Sequence, residues 1–316
     1  MSSTPETFVD VEFVVERNYS SWRLDKYICE KLPRLSRTKV QRIIARGLIS
    51  DRALKSSTLV FPGLSFRIRR QIFDEPETPT SVQELYRDRA ILVVDKPAGL
   101  PIHPTARYRR GTLVTLLQQR YGPQPAFPLH RLDRETSGVL ICGCEPEPTR
   151  HLMRAFAQGQ VHKEYFAICE GAPRCEEFEV DAPIAEGGRL VRIAVRVDRV
   201  KGKAARTQFR VLNRFERDGE RFSLLQARPS TGRQHQIRVH LREAGFPIVG
   251  DKIYGPDEGY FDRFSKHCLE PEAWRRLRLP RHALHAGLIR FEHPSSKSQV
   301  SFQSPLPADL QAFLRS

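Results

Sequence analysis

The sequence predicts an α+β protein in which a small helical N-terminal domain precedes a larger domain built on a mostly antiparallel, mixed sheet. Three observations carry that expectation. From residue 85 onward, short alternating or apolar runs recur with few helical patterns between them and no regular strand–helix–strand alternation. Before residue 70, helical periodicity dominates. Between the two, residues 71–84 gather Asp74, Glu75, Pro76, Glu77 and Pro79 into what reads as an extended acidic linker.

In the small domain (residues 17–70), Leu24, Tyr27, Ile28 and Leu32 share one face of a first helix, which Pro33 and Arg34 end. Ser36 is placed to cap a second helix carrying Val40, Ile43 and Ile44 and closed by Gly47. Its other face presents Lys39, Arg42 and Arg46, with Arg37 at its start, a basic stripe suited to successive phosphates. A solvated charged face is the plain alternative. The order Arg23-Leu24-Asp25, Ser36-Arg37-Thr38-Lys39-Val40-Gln41, Ile43-Ile44-x-x-Gly47 resembles the RNA-binding domain first described in the fourth small-subunit ribosomal protein. Ser50-Asp51-Arg52-Ala53 stands where that family often has an Asn-Gly turn.

In the larger domain, residues 85–316, strands are expected at Ile91–Val94, Val191–Val197, Thr207–Val211, Phe222–Leu225, Leu288–Phe291 and Val300–Phe302. Helices are expected at Thr112–Arg120, Pro148–Gln158 and Thr231–Ala244. The segment Pro256–Pro280, with Tyr260, Phe261, Phe264 and Trp274, reads as an insertion that either packs or contacts RNA, packing being favoured.

Charge narrows the function. A formal net charge of +15 over 316 residues favours a polyanionic partner, nucleic acid before membrane. No apolar run approaches the ~20 residues of a spanning helix. The polar, acidic start Met1–Glu6 resembles neither a signal nor a transit peptide, so the expected compartment is the cytoplasm. The six cysteines lack a disulfide framework, and Cys142-x-Cys144 has no second ligand pair for zinc. His235 and His240, five apart, do not share a helix face and are discounted as metal ligands.

Chemistry concentrates in His130-Arg131-Leu132-Asp133-Arg134-Glu135-Thr136-Ser137-Gly138, which sets one carboxylate between two arginines ahead of the apolar Val139–Cys142 strand. Guanidinium neighbours keep a carboxylate ionised, ready to act as nucleophile or base. A surface salt-bridge loop would use the same residues. The full string resembles the signature of the RluA family of RNA pseudouridine synthases, in which this aspartate is catalytic. Three further strings match the family in order: Asp95–Pro104, His162–Ile168 and Pro229–Leu241.

The resemblance implies a role for each match. Asp133 is the catalytic carboxylate, Arg131 helps extrude the target nucleotide, and Tyr165 stacks on the flipped uracil and assists proton loss at carbon 5. Lys163 shares the strand face of Tyr165. Arg233 is expected to pair with Asp133, and Ile237 to floor the base. Asp95–Pro104 would shape the cleft wall, His130 and the 281–286 and 291–294 stretches would be scaffold, and Gln234 departs from the usual Thr or Ser. Isomerising uridine conserves its atoms, so no redox cofactor, metal or nucleotide is called for, and one carboxylate suffices where glycoside hydrolysis wants two. That carboxylate has three routes: attack on the anomeric carbon, attack on the base, or removal of a ribose proton.

The implied partner is structured RNA, large-subunit ribosomal RNA ahead of transfer RNA, with no membrane and the chain acting as a monomer. Rival readings are a catalytically silent RNA-binding ribosome assembly factor and a nucleic-acid glycosylase or nuclease.

Overall fold

The computed structural model describes residues 7–32, 35–72, 75–105, 107–122, 126–187, 191 and 193–315. The chain divides into two compact units, Met1–Glu75 and Pro76–Ser316.

The first unit runs β1 (Thr7–Val14), α1 (Leu24–Lys31), α2 (Arg37–Gly47), β2 (Leu48–Ile49) and β3 (Ser65–Ile72), its antiparallel sheet ordered β1-β3-β2. Leu24, Tyr27 and Ile28 of α1 and Val40 and Ile44 of α2 bury against Phe66 and Ile68 of β3, as the helical periodicities predict. Each such side chain contributes roughly 1.5–3 kcal/mol on burial. Lys39, Arg42 and Arg46 are exposed and form no ion pair among the described residues. Arg37 instead turns back, its Nε 3.1 Å from Oδ2 of buried Asp25, which Arg23 and Gln41 also reach. Burial opposes the Asp25 charge, but hydrogen bonds from Arg23, Gln41 and Arg37 outweigh it and hold the carboxyl well below its usual range. Two expectations shift, and a third is untested. The sheet opens at Thr7, ahead of residue 17, because β1 pairs with β3 along its whole length. Ser36 sits at the N-cap but makes no side-chain cap bond. Pro33 and Arg34 lie outside the described residues.

The second unit contains β4 (Gln83–Arg87), β5 (Ile91–Lys96), α3 (Leu113–Tyr121), β6 (Phe127–Pro128), β7 (Ser137–Gly143), α4 (Pro146–Ala157), β8 (His162–Glu170) and β9 (Glu177–Asp181). It continues with β10 (Ile184–Glu186), β11 (Val195–Val197), β12 (Arg206–Arg217), β13 (Glu220–Pro229), α5 (Gln236–Glu243), α6 (Tyr260–Ser265), α7 (Pro271–Leu277), β14 (Leu284–Glu292), β15 (Gln299–Gln303) and α8 (Ala308–Arg315). Among the described residues, ten strands form one sheet ordered β4-β5-β7-β14-β8-β13-β12-β9, with β15 on β14 and β6 on β7. Its one parallel pairing is β7 with β14. The centre is covered on both faces: Leu92, Val94, Leu140 and Cys142 point into one cluster, and Ile91, Val93, Val139 and Ile141 into another. Period-two alternation of all-apolar residues produces that two-sided burial.

The expected linker is trimmed at both ends, since Gln71 and Ile72 extend β3, Gln83 and Glu84 open β4, and Val82 is buried in the second unit's core; Phe73 and Asp74 lie outside the described residues. The strand expected over 191–197 shortens to β11, which among the described residues pairs with the three-residue β10; Arg192 is outside the described residues. Among the described residues no helix is long and apolar enough to cross a membrane.

Candidate active site

Asp133 lies just before β7, at the seam where β7 meets β14. Its carbonyl accepts from Thr136 N at 3.1 Å, closing a tight turn with Arg134 and Glu135 at the corners, while Leu132 anchors the turn in the core. Gly138 makes the approach possible. At φ +114 it takes a backbone form that side chains resist, and a Cβ there would lie 2.2 Å from the Ala286 carbonyl oxygen of β14. Thr136 Oγ1 meets His282 Nε2 at 2.7 Å, and Ser137 Oγ meets His285 Nδ1 at 2.9 Å. His285 Nε2 faces the Ser304 carbonyl at 3.0 Å and must donate to it, so Nδ1 accepts from Ser137.

The Asp95–Pro104 stretch supports this turn from behind and is not among the residues lining the pocket, correcting the expected cleft wall. Gly99 N donates to the Arg134 carbonyl at 2.8 Å. Buried Lys96 spends its ammonium hydrogens on the carbonyls of Pro97, Leu100 and Arg134 at 2.8, 3.0 and 3.1 Å. Burial pushes its pKa down to about 7, against the attraction of Asp133.

The guanidinium beside Asp133 is not that of Arg233. Helix α5 starts at Gln236, five residues later than expected, because His235 adopts the left-handed conformation with φ 52. The Thr231 hydroxyl and the Arg233 N–H both donate to Gln236 Oε1, at 2.7 and 3.0 Å. Arg233 therefore sits in an exposed loop, its Nε donating to the Ala204 carbonyl at 3.2 Å. Arg238 fills the expected place. Its Nη1 donates to Asp133 Oδ2 at 2.7 Å, and its Nε and Nη2 grip Asp251 at 2.7 and 2.8 Å. Asp251 Oδ1 also accepts from the N–H groups of Ile253 and Tyr254, at 2.9 and 3.0 Å. One cation thus bridges two carboxylates, the arrangement that lets charges persist in an interior.

Burial penalises the Asp133 charge, yet neighbouring His235, Arg238 and His282 hold its pKa down to about 2. Burial itself pushes His235 to about 4 and His282 to about 3, leaving both neutral at physiological pH, so the permanent countercharge is Arg238. Tyr254 Oη accepts from Val195 N at 2.8 Å and lies 2.9 Å from His235 Nδ1, to which its hydrogen is free to donate. That leaves the Nε2–H of His235 toward Asp133 Oδ1, 3.6 Å away and beyond hydrogen-bond reach.

Tyr165 and Lys163 share one face of β8 and line the same pocket as Asp133, Arg131, Arg233, Ile237 and Arg238. Small neighbours flank Tyr165, Ala227 on β13 and Ala286 on β14, so its ring lies open to the pocket. Burial, then the Asp133 charge, raise its phenol well above the usual range. The pocket's empty volume, open mouth included, is about 570 Å³. His130 accepts from Ile141 N at 3.0 Å and stacks on Phe156, serving the scaffold. Among the described residues no group of three His, Cys, Asp or Glu could hold a metal. Sequence reasoning missed Arg238, Asp251, His235, His282 and Lys96. The available signal was a charge inside an apolar run, Ile237-Arg238-Val239 and Val249-Gly250-Asp251.

A family model described as RNA pseudouridylate synthase matches residues 90–243, which include the Asp133 turn, Tyr165 and Arg238. An uncharacterized RNA pseudouridine synthase of Chloroflexus aurantiacus is 37% identical, over 96% of this chain and 92% of its own. The chain belongs to the RluA family of RNA pseudouridine synthases. It is therefore an RNA-modifying isomerase. The ribosomal large subunit pseudouridine synthase D of Nitrosomonas europaea is 34% identical to this synthase, over 96% of this chain and 87% of the relative. Among solved structures, human RNA pseudouridylate synthase domain containing 1 superposes with a TM-score of 0.58 at 27% identity, covering 75% of this synthase and 89% of the human chain.

Proposed function

We propose that this synthase isomerises specific uridines of large-subunit ribosomal RNA, with Asp133 as its one reactive carboxylate. The observation that supports this most directly is the division of labour on that side chain. Arg238 engages Oδ2, whereas Oδ1 faces the pocket side of His235 without a hydrogen bond. An oxygen held ionised yet unspent is what attack on an anomeric carbon or on uracil requires. The target uridine leaves its stack, Arg131 enters the gap, and Ile237 and Tyr165 bracket the base. The glycosidic nitrogen–carbon bond breaks, uracil turns, carbon 5 bonds to the ribose as Asp133 is released, and carbon 5 loses its proton with help from Tyr165 while nitrogen 1 gains one. Reactant and product have the same atoms.

The ribosomal target follows the relative named for the large ribosomal subunit. The first unit adds a phosphate-binding face through Lys39, Arg42 and Arg46, in keeping with its resemblance to the RNA-binding domain of the fourth small-subunit ribosomal protein. Arg233, exposed at the pocket mouth, is assigned to RNA backbone contact, not to the ion pair expected from sequence.

Asp133→Asn is expected to bind RNA normally while tritium release from carbon-5-labelled uridine RNA falls by four or more orders of magnitude. Appreciable pseudouridine formation by that variant would sink the assignment. A parent protein that binds RNA and releases no tritium would instead favour a silent assembly factor. Mapping pseudouridines in total RNA with and without the gene identifies the target, ribosomal or transfer RNA.

A further inference from the structure

The insertion at residues 256–280 raises the question of what its aromatic residues do. Tyr260, Ala273 and Leu277 form a small core of their own, with Leu269 and Trp274 against it. The rings of Phe264 and Trp274, edge to face with each other, also meet the ammonium of Lys252, which lies 4.9 Å from the first centroid and 5.7 Å from the second. Cation–π contact of this kind fixes a flexible lysine without consuming its hydrogen-bond donors. Those donors go to both oxygens of Glu135, each at 3.1 Å, and to the Pro280 carbonyl at 2.6 Å. The Lys252 side chain is 2% exposed.

Glu135 is a corner of the turn that carries Asp133. Its carboxylate also receives Arg134 Nη2 at 2.9 Å and the His282 N–H at 3.2 Å. Arg281 Nη1 takes the Glu135 carbonyl at 3.2 Å. The insertion further touches Arg107 through His267, 3.1 Å apart, and the next residue, Tyr108, accepts from Arg134 Nη1 at 2.8 Å. Both corner residues of the turn are thus held by groups whose own positions depend on the insertion.

We propose that the insertion is a positioning device for the reactive turn, with Lys252, clamped by Phe264 and Trp274, setting the orientation of Asp133 through Glu135. The inference rests on the reading of Asp133 as the reactive carboxylate. Lys252 touches no pocket residue's reacting atom; it acts through another side chain. Loss of the clamp lets the turn rotate. A displacement of about an ångström at a reacting atom can cost on the order of a hundredfold in rate.

The test uses the full chain and carbon-5-tritiated large-subunit RNA, comparing Lys252→Met, Lys252→Arg, the Phe264→Leu/Trp274→Leu pair and Asp133→Asn. Single-turnover tritium release by Lys252→Met and by the aromatic pair should fall roughly 10- to 100-fold, with the RNA dissociation constant within twofold of the parent. Lys252→Arg should recover most of the rate. The aromatic pair leaves the Lys252–Glu135 ion pair in place, so it answers the question even where Lys252→Met folds poorly. Parental rates in folded Lys252→Met or in the aromatic pair, or a loss that tracks RNA affinity, would overturn the proposal while Asp133→Asn stays inactive. Activity in Asp133→Asn would remove the underlying reading itself.

Discussion

Arg238 is where a single guanidinium has most to do. It closes on two carboxylates with three contacts of 2.7–2.8 Å. Lysine carries the same charge but presents it at a point, without the planar fork. Arg238→Lys is accordingly expected to fold and to lose at least a hundredfold in turnover. Arg238→Met strands Asp133 and Asp251 together, which costs on the order of 3–5 kcal/mol. Arg233→Ala should leave stability within about 0.5 kcal/mol, as for other exposed substitutions, while weakening RNA affinity. Thermal unfolding and tritium release on the three variants check this; an unstable Arg233→Ala or a fully active Arg238→Lys would reverse the two roles. At this scale the sequence was legible by residue type. Asp133, Tyr165, Lys163, Arg131 and Ile237 all reach one pocket, because their motifs specify them by name. The choice between Arg233 and Arg238 was not legible, since it depends on where α5 begins. A left-handed His235 is a tertiary outcome that helical spacing cannot foresee.

Elements followed their hydrophobic periods where those periods were clean. Helix α3, expected over 112–120, spans Leu113–Tyr121 behind Thr112, whose hydroxyl accepts from Thr115 N. Strands β12 and β13 contain their predicted cores and run well past them, because their backbone ladder continues after the side-chain alternation fades. β1 lay in a region given no reading, and it exists through its pairing with β3. Helix α2 has a prediction of its own. Lys39, Arg42 and Arg46 stand clear of ion pairs among the described residues, so their charge is available to phosphates. Replacing all three with alanine should lower the slope of log affinity against log salt by roughly 2–3, at ~0.7–0.9 per phosphate. Binding should weaken alike for all RNA sequences. An unchanged salt slope would return the stripe to the status of a solvated face.

For the whole molecule, charge sets the response to acid. His130 and His282 are pushed by burial to about 3, and His235 to about 4. In the unfolded chain each titrates near 6.5, so between that pH and the folded values the unfolded state binds more protons. Their contribution is complete above pH 6.5 and is lost as pH falls toward 4. The loss is at most about 1.4 kcal/mol per pH unit for each histidine. Asp133, at about 2 when folded, adds its loss only below the ordinary aspartate range. Urea midpoints measured from pH 7.5 to 4 should decline from near 6.5, and a plateau down to pH 4.5 would contradict the burial of these rings. A mostly antiparallel mixed sheet was readable from strand spacing, whereas its one parallel seam was not, because no local pattern encodes a partner so far away. That seam dictates an order of events. Ser137 waits for His285, a separation of 148 residues, and Thr136 for His282 across 146. A growing polypeptide must therefore carry its aspartate unsupported until nearly the last strand emerges. The first unit's contacts close within Met1–Glu75. A ribosome-bound chain would hold a complete first unit long before it holds any means of altering an RNA.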